Sequence, residues 1–171
     1  MTRRTLLLSP LSAATWHDIA VAQQPGSSLR YLTPADASEL GALIAQIIPS
    51  DGTPGAKEAG CIHFIDRALD TFDRDKRTLY RTGLSAAQTK RTELFPQSTA
   101  IATLEAPQAI ALCKAIESTD FFQLLRTHTI MGFLAAPDWG GNQNHAGWTH
   151  IGLEHSMSYQ PPFGYYDKEA Q

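Results

Sequence analysis

Five separate segments of the sequence carry apolar residues at spacings of three and four, the period of a helix with one buried face. Leu40, Leu43, Ile44, Ile47 and Ile48 form the first stripe, behind a helix start at Thr33-Pro34-Ala35-Asp36. There a Thr can cap, a Pro fits the first helical position and an acid lies in the first turn. Pro49 ends that helix, and Ser50-Asp51-Gly52-Thr53-Pro54-Gly55 is a turn cluster. A second helix is expected over residues 56–72, burying Ile62, Ile65, Leu69 and Phe72, with His63 beside the stripe as a surface or satisfied residue. A third is expected over 75–89 with Leu79, Tyr80, Leu84 and Ala87, interrupted in propensity by Gly83. A fourth opens at Pro107 and runs through Glu117, with Ile110, Cys113 and Ile116 inward. A fifth is capped by Thr119 and runs to Leu134, carrying Phe121, Phe122, Leu125 and Phe133. Residues 93–105 read as irregular backbone. Nothing alternates as a strand does, so the expected class is all-α: a single irregular bundle of about five helices.

After the fifth helix comes Pro137-Asp138-Trp139-Gly140-Gly141-Asn142-Gln143-Asn144-His145-Ala146-Gly147-Trp148. Gly and Asn supply the positive-φ positions of tight turns, and a Trp gives a loop a large anchor with one N–H to satisfy. The segment is expected to be a packed loop, either capping the bundle or positioning something.

Both ends of the chain differ from this middle. Thr2-Arg3-Arg4 precedes the apolar Thr5-Leu6-Leu7-Leu8, and Ala20-Val21-Ala22 fits a small-x-small cleavage site. Residues 1–22 therefore read as a twin-arginine export signal carried by Arg3 and Arg4. The apolar run is shorter than the roughly 20 residues of a spanning helix. Residues 23–155 form the helical domain. Residues 156–171 form an extended arm in which Tyr159, Phe163, Tyr165 and Tyr166 surround Pro161 and Pro162, to be laid over its own bundle or bound to another chain.

The chain has 14 Lys and Arg against 17 Asp and Glu, a mild acidity that lacks the clustered bases of a nucleic-acid footprint. It carries no nucleophile elbow, phosphate loop, dinucleotide fingerprint or haem attachment site. His145, His150 and His155 recur every five residues, about 140° apart on a helix, so they do not share a face. A metal site built from them with Glu154 is one reading, and loop histidines the commoner one. Cys61 and Cys113 would meet an oxidising compartment after export and could bridge two helices, or remain two buried small residues.

Several elements together resemble the small subunit, often called subunit 3, of the gluconate 2-dehydrogenase family. They are the twin-arginine start, Leu43-Ile44 with Ile47-Ile48-Pro49-Ser50-Asp51, Pro54-Gly55-Ala56-Lys57-Glu58-Ala59-Gly60 and Phe64-Ile65-Asp66. Tyr80, Gly83-Leu84, Phe121-Phe122 and the ending Pro137-x-x-Gly140-Gly141-Asn142, Gly147-Trp148, Ile151-Gly152 complete the pattern. The resemblance implies a non-catalytic periplasmic subunit that binds no cofactor itself. Its large partner would hold FAD and oxidise a sugar, sugar acid or alditol, and a c-type cytochrome subunit with haem c would take the electrons. The small subunit would carry the export signal and assist the folding and export of the flavoprotein, meeting the membrane only through the complex. On this reading Gly140, Gly141, Asn142 and Trp148, with Tyr159, Phe163, Tyr165 and Tyr166, form the partner surface; alternatively Trp148 closes only its own core. Rival readings are a stand-alone metal enzyme using the His145/His150/His155 region and a chaperone that leaves after export.

Overall fold

In the computed structural model, residues 28–154 are described. The export signal with Arg3 and Arg4, His155, and the arm with Tyr159, Phe163, Tyr165 and Tyr166 lie outside them. Among the described residues there are six α-helices and no strand, so the chain is all-α. The helices are α1 (Pro34–Ile47), α2 (Cys61–Asp70), α3 (Arg77–Leu94), α4 (Ala106–Ile116), α5 (Asp120–Leu134) and α6 (Ala146–His150).

The helix starts follow the local chemistry. Thr33 Oγ1 accepts from Asp36 N at 3.1 Å to open α1, and Thr119 Oγ1 accepts from Phe122 N at 3.3 Å to open α5. At α4, Glu105 and Gln108 form a reciprocal capping box.

α2 departs from expectation at both ends. Gly60 has φ +67°, which a helix running from residue 56 could not accommodate, so α2 begins only at Cys61. Its last turn closes at Asp70, and the chain then bends into the short helical turn Arg74–Lys76. Phe72 is therefore off the helix and 50% exposed, not part of the buried stripe. α3, by contrast, runs longer than expected despite Gly83. A Cβ at Gly83 would collide with the Phe121 ring, so this glycine lets α5 cross α3 closely.

α5 is the centre of the bundle. It packs most extensively on α2 and also touches α1, α3 and α6. Its Phe121, Phe122, Leu125 and Phe133 are buried, joined by Leu40, Leu43 and Ile44 of α1 and Leu112 of α4.

Two buried carboxylates organise backbone that periodicity cannot read. Asp66, 1% exposed, accepts from three successive main-chain N–H groups, Arg30 at 2.7 Å, Tyr31 at 2.9 Å and Leu32 at 2.7 Å. This fixes where the chain enters α1. Glu39 of α1 accepts from Ile101 N at 2.8 Å, which seats Ile101 in the core and gives the irregular stretch before α4 its anchor.

Candidate functional site at the capped end of the bundle

A helix leaves its last four carbonyls without intrahelical partners. At the end of α5 the Gly/Trp loop meets that need. Trp148 Nε1 donates to Leu134 O at 2.8 Å, and Asn142 Nδ2 donates to Ala135 O at 2.9 Å. Asn142 Oδ1 in turn accepts from Gly147 N at 2.8 Å, at the start of α6. One side chain, fully buried, thus closes α5 and opens α6.

The glycines of the motif answer to contact. A Cβ at Gly141 would collide with Gly132 O, and one at Gly147 with Phe133 O. The loop can lie against the end of α5 only because both positions lack a side chain. Asn142, Asn144 and His145 all take positive φ, at 48°, 56° and 56°, a run of left-handed residues held by the surrounding contacts. His145 stacks on Trp148 with ring centroids 5.0 Å apart.

The other distinctive segment, residues 54–60, packs against this loop. Gln143 N donates to Ala59 O at 3.0 Å, and the Gln143 side chain covers Gly60. Glu58 accepts from Ser50 Oγ at 2.5 Å and from Gly55 N at 3.0 Å, bracing the preceding turn; these bonds, that from Ser50 first, hold its carboxyl below the usual range. Ala56 and Ala59 are fully buried. Between the two segments lies a cleft of about 360 Å³ lined by Thr53, Glu58, Gln143, Asn144, Thr149 and His150.

Beside the cap, along the last turns of α5, the surface changes character. Phe64, Phe72, Ile130, Met131, Leu134 and Trp139 line an open, almost wholly apolar groove of about 680 Å³. Phe72 and Trp139 are each 50% exposed and meet edge to face at 6.0 Å. Arg67 donates to Asp138 O and ties the turn carrying Trp139 to α2. Exposed apolar surface of this kind marks a place where something docks.

These positions reassign several sequence expectations. Gly140, Gly141 and Asn142 are buried braces, so they shape the end of the bundle without forming an outer contact surface. Trp148 is half-buried with its indole N–H engaged in the cap. Of the groove residues, Phe72 was expected in the core, and Met131 and Leu134 were not singled out as surface by sequence reasoning. A signal for them existed: Ile130, Met131 and Leu134 make α5 apolar beyond its inward face, as in a helix with a second contact.

Cys61 and Cys113 are free buried thiols, and their helices α2 and α4 are not among the closely packed pairs, so the possible bridge is not formed. Burial pushes Cys61 up to about 12 and Cys113 up to about 11, so both thiols stay protonated at neutral pH. His150 lies near Thr53 and meets Phe133 edge to face at 6.0 Å, while His145 is stacked on Trp148. Among the described residues no three His, Cys, Asp or Glu side chains gather as metal ligands.

A Tyr–His–Asp chain does occur inside the bundle. Tyr80 Oη lies 2.9 Å from His128 Nδ1, and His128 Nε2 lies 3.0 Å from Asp73 Oδ2. Burial raises Tyr80, so the phenol stays protonated and donates to Nδ1; a neutral His128 then donates from Nε2 to Asp73. Burial lowers His128, opposed by Asp73. Tyr80 and His128 are 3% and 2% exposed, and the arrangement joins α3, α5 and the turn after α2.

The described residues thus define an all-α bundle whose specificity lies in a built cap and an apolar end. A family model described as gluconate 2-dehydrogenase subunit 3 matches residues 34–154, and the chain belongs to that family, an accessory subunit family of a multi-subunit dehydrogenase. Comparisons with curated proteins and with solved structures returned no match. Two of the segments that carried the resemblance, Pro54 to Gly60 and Gly140 to Trp148, touch across Gln143 and Ala59.

Proposed function

We propose that this chain is the non-catalytic small subunit of a periplasmic, FAD-dependent dehydrogenase of a sugar, sugar acid or alditol. In this reading it assists the folding and stability of the flavoprotein subunit and carries it through twin-arginine export. The flavin belongs to that partner, and the haem c that receives the electrons belongs to a cytochrome subunit. The observation that carries the reading is the family match over the whole helical domain. An apolar, aromatic end of the bundle supports it, because subunit interfaces have aromatic centres. The partner-facing surface is proposed at that end, around Trp148 and the arm with Tyr159, Phe163, Tyr165 and Tyr166; Gly140, Gly141 and Asn142 support it from beneath.

The test is purification through a tag on this chain from its native host. A stoichiometric flavoprotein with the absorption of bound flavin, together with substrate-dependent dye reduction, is the expected result. A chain that purifies alone from the periplasm while the dehydrogenase remains active would favour a chaperone that leaves after export. Replacing Arg3 and Arg4 by Lys tests the route separately. Both subunits should then stay in the cytoplasm, and undiminished periplasmic activity would refute export through this signal.

A further inference from the structure

We propose that the apolar groove beside α5 is the seat of this chain's own C-terminal segment, from Tyr159 to Tyr166. The inference concerns the free chain and stands whether or not the accessory-subunit reading holds.

The groove needs an occupant. Phe72 and Trp139 are 50% exposed, Met131 43% and Leu134 38%, all in one depression with few polar atoms to interrupt it. Leaving this surface in water forgoes the free energy gained when apolar area is buried.

The place where the described chain runs out selects the occupant. Leu153 N donates to Trp148 O at 2.8 Å, and the Trp148 indole donates to Leu134 O at 2.8 Å. Leu134 is itself a wall of the groove. The chain therefore leaves α6 one side chain away from the groove's edge. Four residues lie between Glu154 and Tyr159, five chain steps with a reach of up to about 17 Å, and Tyr166 can extend to about 40 Å. The segment holds four aromatic residues, and Pro161-Pro162 restricts its backbone before it docks, which reduces the entropy lost on docking.

Tethering decides among competitors. A short linker holds its cargo at an effective concentration in the millimolar range. A contact too weak to bind a second copy at micromolar protein is therefore well populated within one chain.

Met131, in the groove, reports directly. In the full chain at low concentration, its oxidation by dilute peroxide, followed by peptide mass mapping, should be several-fold slower than in a variant carrying Tyr159→Ser, Phe163→Ser, Tyr165→Ser and Tyr166→Ser. A second measurement does not depend on that variant folding. The pair Met131→Cys and Phe163→Cys should form an intrachain disulfide on mild oxidation. The pair Ile110→Cys and Phe163→Cys should not, since Ile110 is exposed on α4, which packs against α1 and α3. Equal Met131 oxidation rates, or equal bridging by the two pairs, would overturn the proposal. So would protection that appears only as protein concentration rises, which assigns the groove to a second copy. Protection that appears only with the dehydrogenase subunit bound would assign it to that partner and likewise overturn the proposal.

Discussion

The two flanks of the C-terminal half of α5 are built on opposite principles. On one, the Gly/Trp loop brings polar side chains and bare backbone against the helix end, and the free carbonyls of Leu134 and Ala135 are paired. On the other, Phe72, Met131, Leu134 and Trp139 present carbon to solvent. The first flank is complete within the described residues; the second is not. Gly141, Asn142 and Gly147 of the motif thus brace the helix end, while the exposed apolar surface beside them draws mainly on residues outside it, with Trp139 as the exception.

Breaking the complete flank should cost most. Asn142→Ala leaves Ala135 O and Gly147 N without their side-chain partner and keeps a non-Gly residue at φ 48°. A buried N–H and a partly buried carbonyl, at up to about 1–3 kcal/mol each, predict a loss of a few kcal/mol, read as a lower urea midpoint. A midpoint within experimental error of the parent would show that the clamp contributes little. Gly147→Ala comes next. The added methyl must displace the loop from Phe133 O, an overpacking effect of about 1–3 kcal/mol. Gly152→Ala is the control: space there is open, and only the positive φ of 71° is strained.

The incomplete flank should respond differently. Phe72→Ser with Trp139→Ser removes rings that are half in solvent, so the change in stability should be far below that of Asn142→Ala, while binding of surface-active dyes should fall. A collapse as severe as that of Asn142→Ala would mean that these rings belong to the core.

The smallest effect concerns acidity. His128 has its pKa lowered by burial, so the unfolded chain binds that proton at higher pH than the folded one. Stability is then full above the ordinary imidazole value of 6.5 and declines as pH falls below it, toward the lower folded pKa. His63, lowered chiefly by burial, acts in the same direction. In an NMR titration the His128 ring should stay neutral to lower pH than a free imidazole. A midpoint at or above 6.5 would contradict the neutral Tyr80–His128–Asp73 chain.

Much of the bundle was legible in sequence because its signals are local. Thr33 and Thr119 cap within three residues of themselves, and the stripes of α1 and α5 repeat at helical spacing. The resemblance, too, rested on contiguous strings, Pro54 to Gly60 and Gly140 to Trp148. What those strings are for was not legible. Asn142 could be read as a turn former, but its partners Ala135 O and Gly147 N depend on how the loop folds back over α5. Phe72 fitted the stripe of α2 until Gly60 and the bend after Asp70 set the helix ends. Gly83 read as a weak point and is the crossing of α3 with α5, because the colliding Phe121 comes from another helix. Helical period, caps and family strings are short-range, so the sequence by itself determined an all-α accessory subunit and most of its helices. Which carbonyls the loop covers, which carboxylates pin the irregular backbone and which apolar side chains stay in water depend on contacts between distant segments, and only the tertiary structure decided them.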